Sequence, residues 1–187
     1  MSVAEDLAQA TLLPNGKVLI TGGAVSGGVS VAELYDPAKK SMSERFMNSY
    51  RPLATAVLLP NGKVLIAGGM GDPTSQPGSL NTTEIYDPAQ DDFVDGPSMI
   101  IGRWEAMAVP AANGDVLIIG GLSGSKSISF LDDVEIYDPS TNLFSTDAPM
   151  NEPRFVAAAT LLANGSVFIA GGANSTNSLS STEIYNP

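Results

Sequence analysis

The chain has 187 residues, of which 43% are hydrophobic and 16% charged, a globular balance with enough length to bury a sizeable core. Its formal net charge is -11, from 20 acidic and 9 basic residues, and Lys39–Lys40 is the densest basic pair, so nucleic acid and anionic membrane surfaces are excluded as expected partners for want of a basic footprint. There is no Cys and no His, which removes disulfides, thiolate and Ser-His-Asp catalysis, and the usual zinc and copper ligand sets.

The opening MSVAEDLAQA has no basic n-region and no long apolar run, so no signal peptide is visible in this chain. No window approaches 18 consecutive apolar residues, and no membrane insertion is expected. The compartment stays open, because absence of Cys suits either.

Four segments then align without a gap: ATLLPNGKVLITGG (10–23), AVLLPNGKVLIAGG (56–69), AVPAANGDVLIIGG (108–121) and ATLLANGSVFIAGG (159–172). An apolar run, Asn-Gly and a second apolar run predict a β-hairpin, with Asn and Gly both at the positive φ of a type I′ turn. In the second copy, strand a covers 55–59 and strand b 63–67. The b strands KVLI, KVLI, DVLI and SVFI are nearly all apolar, as expected of strands covered on both faces. Each ends in a Gly doublet: Gly22–Gly23, Gly68–Gly69, Gly120–Gly121 and Gly171–Gly172, where backbones can crowd.

A second block follows each hairpin: AELYDP (32–37), TEIYDP (83–88), VEIYDP (134–139) and TEIYNP (182–187). It reads as strand c, stopped by the Asx-Pro pair. Met42, Phe93 and Phe144 mark a strand d in the first three copies, and none follows in the fourth. The period predicts an all-β, four-bladed array of antiparallel strands, with repeats at approximately 1–50, 51–101, 102–152 and 153–187 in one domain or arc spanning 1–187.

The unit resembles the kelch repeat: a hydrophobic hairpin, a Gly doublet, a Tyr before an Asp-Pro turn, and an aromatic residue after it. The resemblance covers nearly the whole chain and implies a β-propeller. It departs at the aromatic position, where kelch repeats usually carry Trp and this chain carries Met42, Phe93 and Phe144. The propeller of galactose-oxidase-like enzymes is similar too, but its copper site needs His, so neither that activity nor a cofactor carries over. Kelch propellers usually have six or seven blades. Closure as a four-bladed ring, membership of a larger propeller, and assembly of two arcs as a homo-oligomer all stay open.

Residues that recur in every repeat serve structure more readily than a ligand. Arg51, Arg103 and Arg154 lie ten residues before the hairpin Asn, with Glu5 at that place in repeat 1; Glu33, Glu84, Glu135 and Glu183 recur in strand c. Arg–Glu pairs, or Arg bound to backbone carbonyls, would tie strands together. Tyr35, Tyr86, Tyr137 and Tyr185 read as core residues with a hydrogen-bonded hydroxyl. The acidic clusters Asp91, Asp92, Asp95 and Asp132, Asp133 lack a calcium-ligand spacing and read as solvated turns, without a metal. The glycosylation sequons at Asn81, Asn164 and Asn174 carry little weight in so Asn- and Ser-rich a chain.

Function is expected where the repeats differ. The b–c connections 24–31, 70–82, 122–133 and 173–181 vary in length and share one face with the d–a connections. Candidate binding residues there are Asp72, Lys126, Phe130, Asp132 and Asn174, with Trp104 either an exposed anchor or a blade-packing residue. No residue is assigned a catalytic role. The expected function is a non-catalytic interaction module for a protein or glycan partner. An accessory propeller of a larger extracellular carbohydrate-active or oxidase-like enzyme and a self-assembling structural protein are the alternatives.

Overall fold

The computed structural model describes residues 7–23 and 30–187. Glu5 and most of the 24–31 connection lie outside the described residues. All the regular elements among the described residues are strands: β1 (Gln9–Leu12), β2 (Val18–Thr21), β3 (Val31–Asp36) and β4 (Ser41–Phe46) in the first repeat, and β5 (Thr55–Leu58), β6 (Val64–Ala67), β7 (Thr83–Asp87) and β8 (Asp92–Asp95) in the second. The third holds β9 (Met107–Pro110), β10 (Val116–Ile119), β11 (Leu122–Gly124), β12 (Ile128–Phe130), β13 (Val134–Asp138) and β14 (Leu143–Thr146), and the fourth β15 (Ala158–Leu161), β16 (Val167–Ala170) and β17 (Thr182–Tyr185).

Each repeat folds into its own antiparallel sheet: β1-β2-β3-β4, β5-β6-β7-β8, β9-β10-β13-β14 and the three-stranded β15-β16-β17. The first three are the expected four-stranded blades. The β11–β12 hairpin, with Leu122 opposite Phe130, is an unexpected addition inside the third b–c connection. Inner strands β1, β5, β9 and β15 lie side by side in that order, and the sheets form an arc that does not close into a full propeller.

The a–b hairpins correct the expected turn. Gly16, Gly62, Gly114 and Gly165 have positive φ, but the Asn before each does not. In the first repeat Gly16 N–H donates to Leu13 O, and Leu13 N–H to Lys17 O. This is a type I turn followed by a left-handed Gly bulge, not type I′. Pro14 and Pro60 explain the choice where they occur: a type I′ turn on Asn-Gly would need an N–H from the residue before Asn, which proline lacks, whereas proline's fixed φ suits the first central position of a type I turn. The Asn side chain instead accepts the N–H two residues on, as Asn61 Oδ1 does from Lys63 at 3.1 Å.

Three apolar layers hold the arc. The side of one blade carrying Leu19, Leu65 or Leu117 packs on the side of the next carrying Val64 and Ile66, Val116 and Ile118, or Val167 and Ile169. All nine side chains are fully buried. Phe93 and Phe144, at the atypical aromatic position, tilt against Tyr86 and Tyr137 with ring centroids 4.9 and 5.1 Å apart. At the two ends of the arc the same positions lose their cover. Leu12 is 64% exposed and Val18 and Ile20 are only half-buried, and on the far side Phe168 is half-buried and Ile184 51% exposed.

Candidate functional site

The Gly doublet, the Arg and the strand-c Glu form one recurring latch. Arg51 Nε donates to Glu84 at 2.9 Å, and its Nη1 to the carbonyls of Gly68 and Thr82 at 2.9 and 3.1 Å. Arg103 repeats this with Glu135 at 2.6 Å and the Gly120 carbonyl at 2.9 Å. Both carboxylates also accept two backbone N–H groups from the incoming segment, Asn48 and Ser49 on Glu84, and Ile100 and Ile101 on Glu135. The charges are buried yet fully partnered, which is what makes such burial tolerable.

The fourth repeat keeps the carbonyl contacts, Arg154 to Gly171 and Ser181, but exchanges the carboxylate. Arg154 Nη2 goes to Glu152 at 2.6 Å, and Glu183 takes the backbone and side-chain N–H groups of Asn151 instead. Glu33 is fully buried. The tyrosine hydroxyls also find acceptors: Tyr86 donates to Asp91 at 2.6 Å, Tyr137 to Asn142 at 2.9 Å and Tyr185 to Ala148 O at 2.6 Å. Tyr35 is half-buried at the open end of the arc.

With the scaffold so fixed, the described b–c and d–a connections gather at the doublet ends of their blades. Connections two and three are stitched together: Ser79 N–H donates to Gly124 O at 2.9 Å, and Gly124 N–H to Ser79 Oγ at 3.1 Å. Between them lies a cavity of about 230 Å³, walled by Met70, Pro73 and Pro77 on one side and Ser125 and Ile128 on the other, with Trp104 also lining it. Trp104 is 5% exposed and bridges by its backbone to Leu122, so it packs in the loop base rather than standing out as an exposed anchor.

The other candidate residues are dispersed. Lys126 is exposed at the tip of the β11–β12 hairpin. Phe130 turns toward repeat four and meets Phe155, ring centroids 5.7 Å apart. Asp132 sits half-buried at the foot of the loop, its carbonyl accepting Met150 N–H. Asp72 and Asn174 cap their own turns, accepting from Thr74 and Ser75 and from Thr176 and Asn177. Hydrogen bonding to those N–H and O–H groups holds the Asp72 carboxyl below its ordinary range. Of the acidic cluster in repeat two, Asp91 pairs with Arg45 at 2.5 Å and Asp95 accepts from Asn48. Of the residues lining the cavity, sequence reasoning singled out Trp104 alone. The pair Pro73 and Pro77, and one Ile in a Ser-rich stretch, were the available signals for the rest.

A second cavity, of about 170 Å³, lies where the four inner strands begin. Leu7, Leu53, Glu105 and Val156 enter it, one from each repeat, all with left-handed backbone (φ 58, 61, 53 and 51°). Their backbones are linked from blade to blade, Val156 N–H to Glu105 O and Glu105 N–H to Leu53 O. Three of the four are aliphatic; the fourth is a carboxylate that burial pushes up from its ordinary pKa. The alignment of Glu105 with Leu53 and Val156, two places after each latch Arg, was the sequence signal for it.

No curated protein matches the chain. The kelch motif matches residues 52–100 and 105–151, which hold the strands and Gly doublets of the second and third blades, the latch carboxylates Glu84 and Glu135 and the two loops around the Trp104 cavity, while Arg51, Arg103 and Trp104 fall outside the matched stretches. Those matched stretches span half of the sequence, and with the two flanking copies of the same strands and Gly doublets they make this chain a member of the kelch-repeat family.

Proposed function

We propose that the chain is a non-catalytic interaction module that presents its b–c and d–a loops to a protein partner. Kelch repeats are generally protein-interaction modules. The observation that carries the reading is the cleft between the two stitched loops: apolar walls, a tryptophan at its base and an exposed Ile128 at its lip. An apolar, well-supported pocket of this size suits one or two side chains of a protein partner. Glycans remain the alternative, since Trp and Ser side chains also suit sugars.

Selection of a displayed peptide library on the whole chain tests this, with a glycan array in parallel. Binders should lose about tenfold or more in affinity on Ile128→Asp, as expected of a residue at the centre of a contact, and little on Lys63→Gln at the opposite end. Binders insensitive to Ile128→Asp, or binding to glycans alone, would overturn the protein-partner reading.

The exposed ends favour a second reading, assembly of arcs. Leu12, Val18 and Ile20 on one end are the counterparts of residues that the blade before them covers elsewhere, and Phe168 and Ile184 on the other end complete the match. Sedimentation of the whole chain tests it: reversible association weakened by Ile184→Glu is expected, and a strict monomer at high concentration would exclude it.

A further inference from the structure

The cavity at the inner ends of the blades holds one charged side chain in an aliphatic collar. Leu7 and Val156 are 62% and 59% exposed at its rim. Glu105 reaches the same space and, among the described residues, its carboxylate has neither an ion pair nor a hydrogen bond. Its main chain cannot swing the side chain away, because its N–H is bound to Leu53 and its carbonyl to Val156. Left-handed backbone at Leu53 and at the β-branched Val156 costs energy, and the blade-to-blade hydrogen bonds hold it.

A partly desolvated carboxylate on a fixed backbone, set among aliphatic side chains with Gln9 as the other polar group lining the cavity, is complementary to a cation carried on an apolar stem. The volume, about 170 Å³, is below that of pockets for drug-sized ligands and suits a single side chain. The net charge of -11 favours encounter with a basic partner over an acidic one.

We propose that this cavity receives the cationic end of one Lys or Arg side chain of the protein partner, with Glu105 as its counter-ion and Leu53, Val156 and Leu7 packing on its methylenes. The inference rests on the loop-face reading for the existence of a protein partner. It adds a charge requirement that the loop cavity does not impose.

The test uses the whole chain, isotope-labelled, titrated with n-butylammonium and with n-butylguanidinium, and with n-butanol as the neutral control. Saturable shifts centred on residues 53, 105 and 156 are expected for one or both cations and not for butanol. Glu105→Gln should weaken that binding about tenfold or more, while the exposed Glu44→Gln leaves it unchanged. Absence of cation-specific shifts at those residues in the wild type, or equal binding to Glu105→Gln, would overturn the proposal. The peptide binders separate the two readings. Binders lost on Ile128→Asp but indifferent to Glu105→Gln retain the loop face and reject the cation site. Binders indifferent to Ile128→Asp reject the loop face, whatever the titration shows.

Discussion

Gly68 lies directly beneath the main chain of Arg103 in the next blade: a Cβ added to the glycine would overlap the Arg103 carbonyl oxygen, and the following Gly69 N–H donates to that oxygen at 2.9 Å. Gly120 stands in the same relation to Arg154, with Gly121 donating at 2.8 Å. At the doublet two blades touch backbone to backbone. Positive φ and lack of room both require glycine there.

Gly68→Ala is therefore expected to cost about 2–5 kcal/mol, the left-handed penalty plus the overlap. Gly165→Ala separates the two terms. Its φ is 89° but nothing lies within 4 Å of the added Cβ, so about 1–2 kcal/mol is expected. Urea denaturation of both variants checks the difference.

The latches differ in what their loss leaves behind. Arg51→Met strands the buried Glu84 carboxylate without its cation and should cost about 3–5 kcal/mol. Arg154→Met leaves Glu183 still held by Asn151, and its own partner Glu152 keeps 32% side-chain exposure, so a loss of about 1–3 kcal/mol is expected. Equal losses in a denaturation series would show that the carboxylate exchange in the fourth repeat has no energetic consequence.

Acid should act in opposite directions at two carboxylates. Hydrogen bonding to Arg45 holds the Asp91 carboxyl below its ordinary range. The folded chain thus binds that proton less tightly than the unfolded chain. The pairing stabilises fully above about pH 4 and is lost as pH falls below it. Asp91→Asn should lower the melting temperature at pH 7, with the deficit shrinking toward pH 3.

Glu105 reverses the sign, because burial raises its pKa. Folding favours the protonated form, so ionisation costs stability as pH rises through the raised value. Glu105→Gln should raise the melting temperature at pH 7, and the gain should vanish in acid. A parallel pair of melting curves against pH checks both substitutions.

The blade plan was open to reading because it is periodic: four hairpins, four Gly doublets and four Glu-x-Tyr blocks repeat the same local physics. The turn type was misread because Asn-Gly alone favours I′, whereas Pro14 and Pro60, and the register they impose, favour type I with a bulge. The β11–β12 hairpin was hidden in LSGSKSISF, which lacks the alternation of a stable strand pair and leans on the neighbouring loop through Ser79 and Gly124. Trp104 could not be assigned to either of its readings from sequence, since its burial is decided by the Leu122 bridge across the blade. Glu105 went unremarked because a lone Glu carries no motif. Its setting arises only when four left-handed residues from separate repeats converge.

Arg103 joins two junctions at once. Its carbonyl and N–H belong to the second blade, through Gly69 and Leu80, and its guanidinium belongs to the third, through Gly120, Asp133 and Glu135. A blade therefore cannot open alone, since releasing the guanidinium frees the backbone that seats the neighbour. Amide protons at the doublets should exchange in concert across adjacent repeats, and melting should travel along the arc as a front rather than blade by blade.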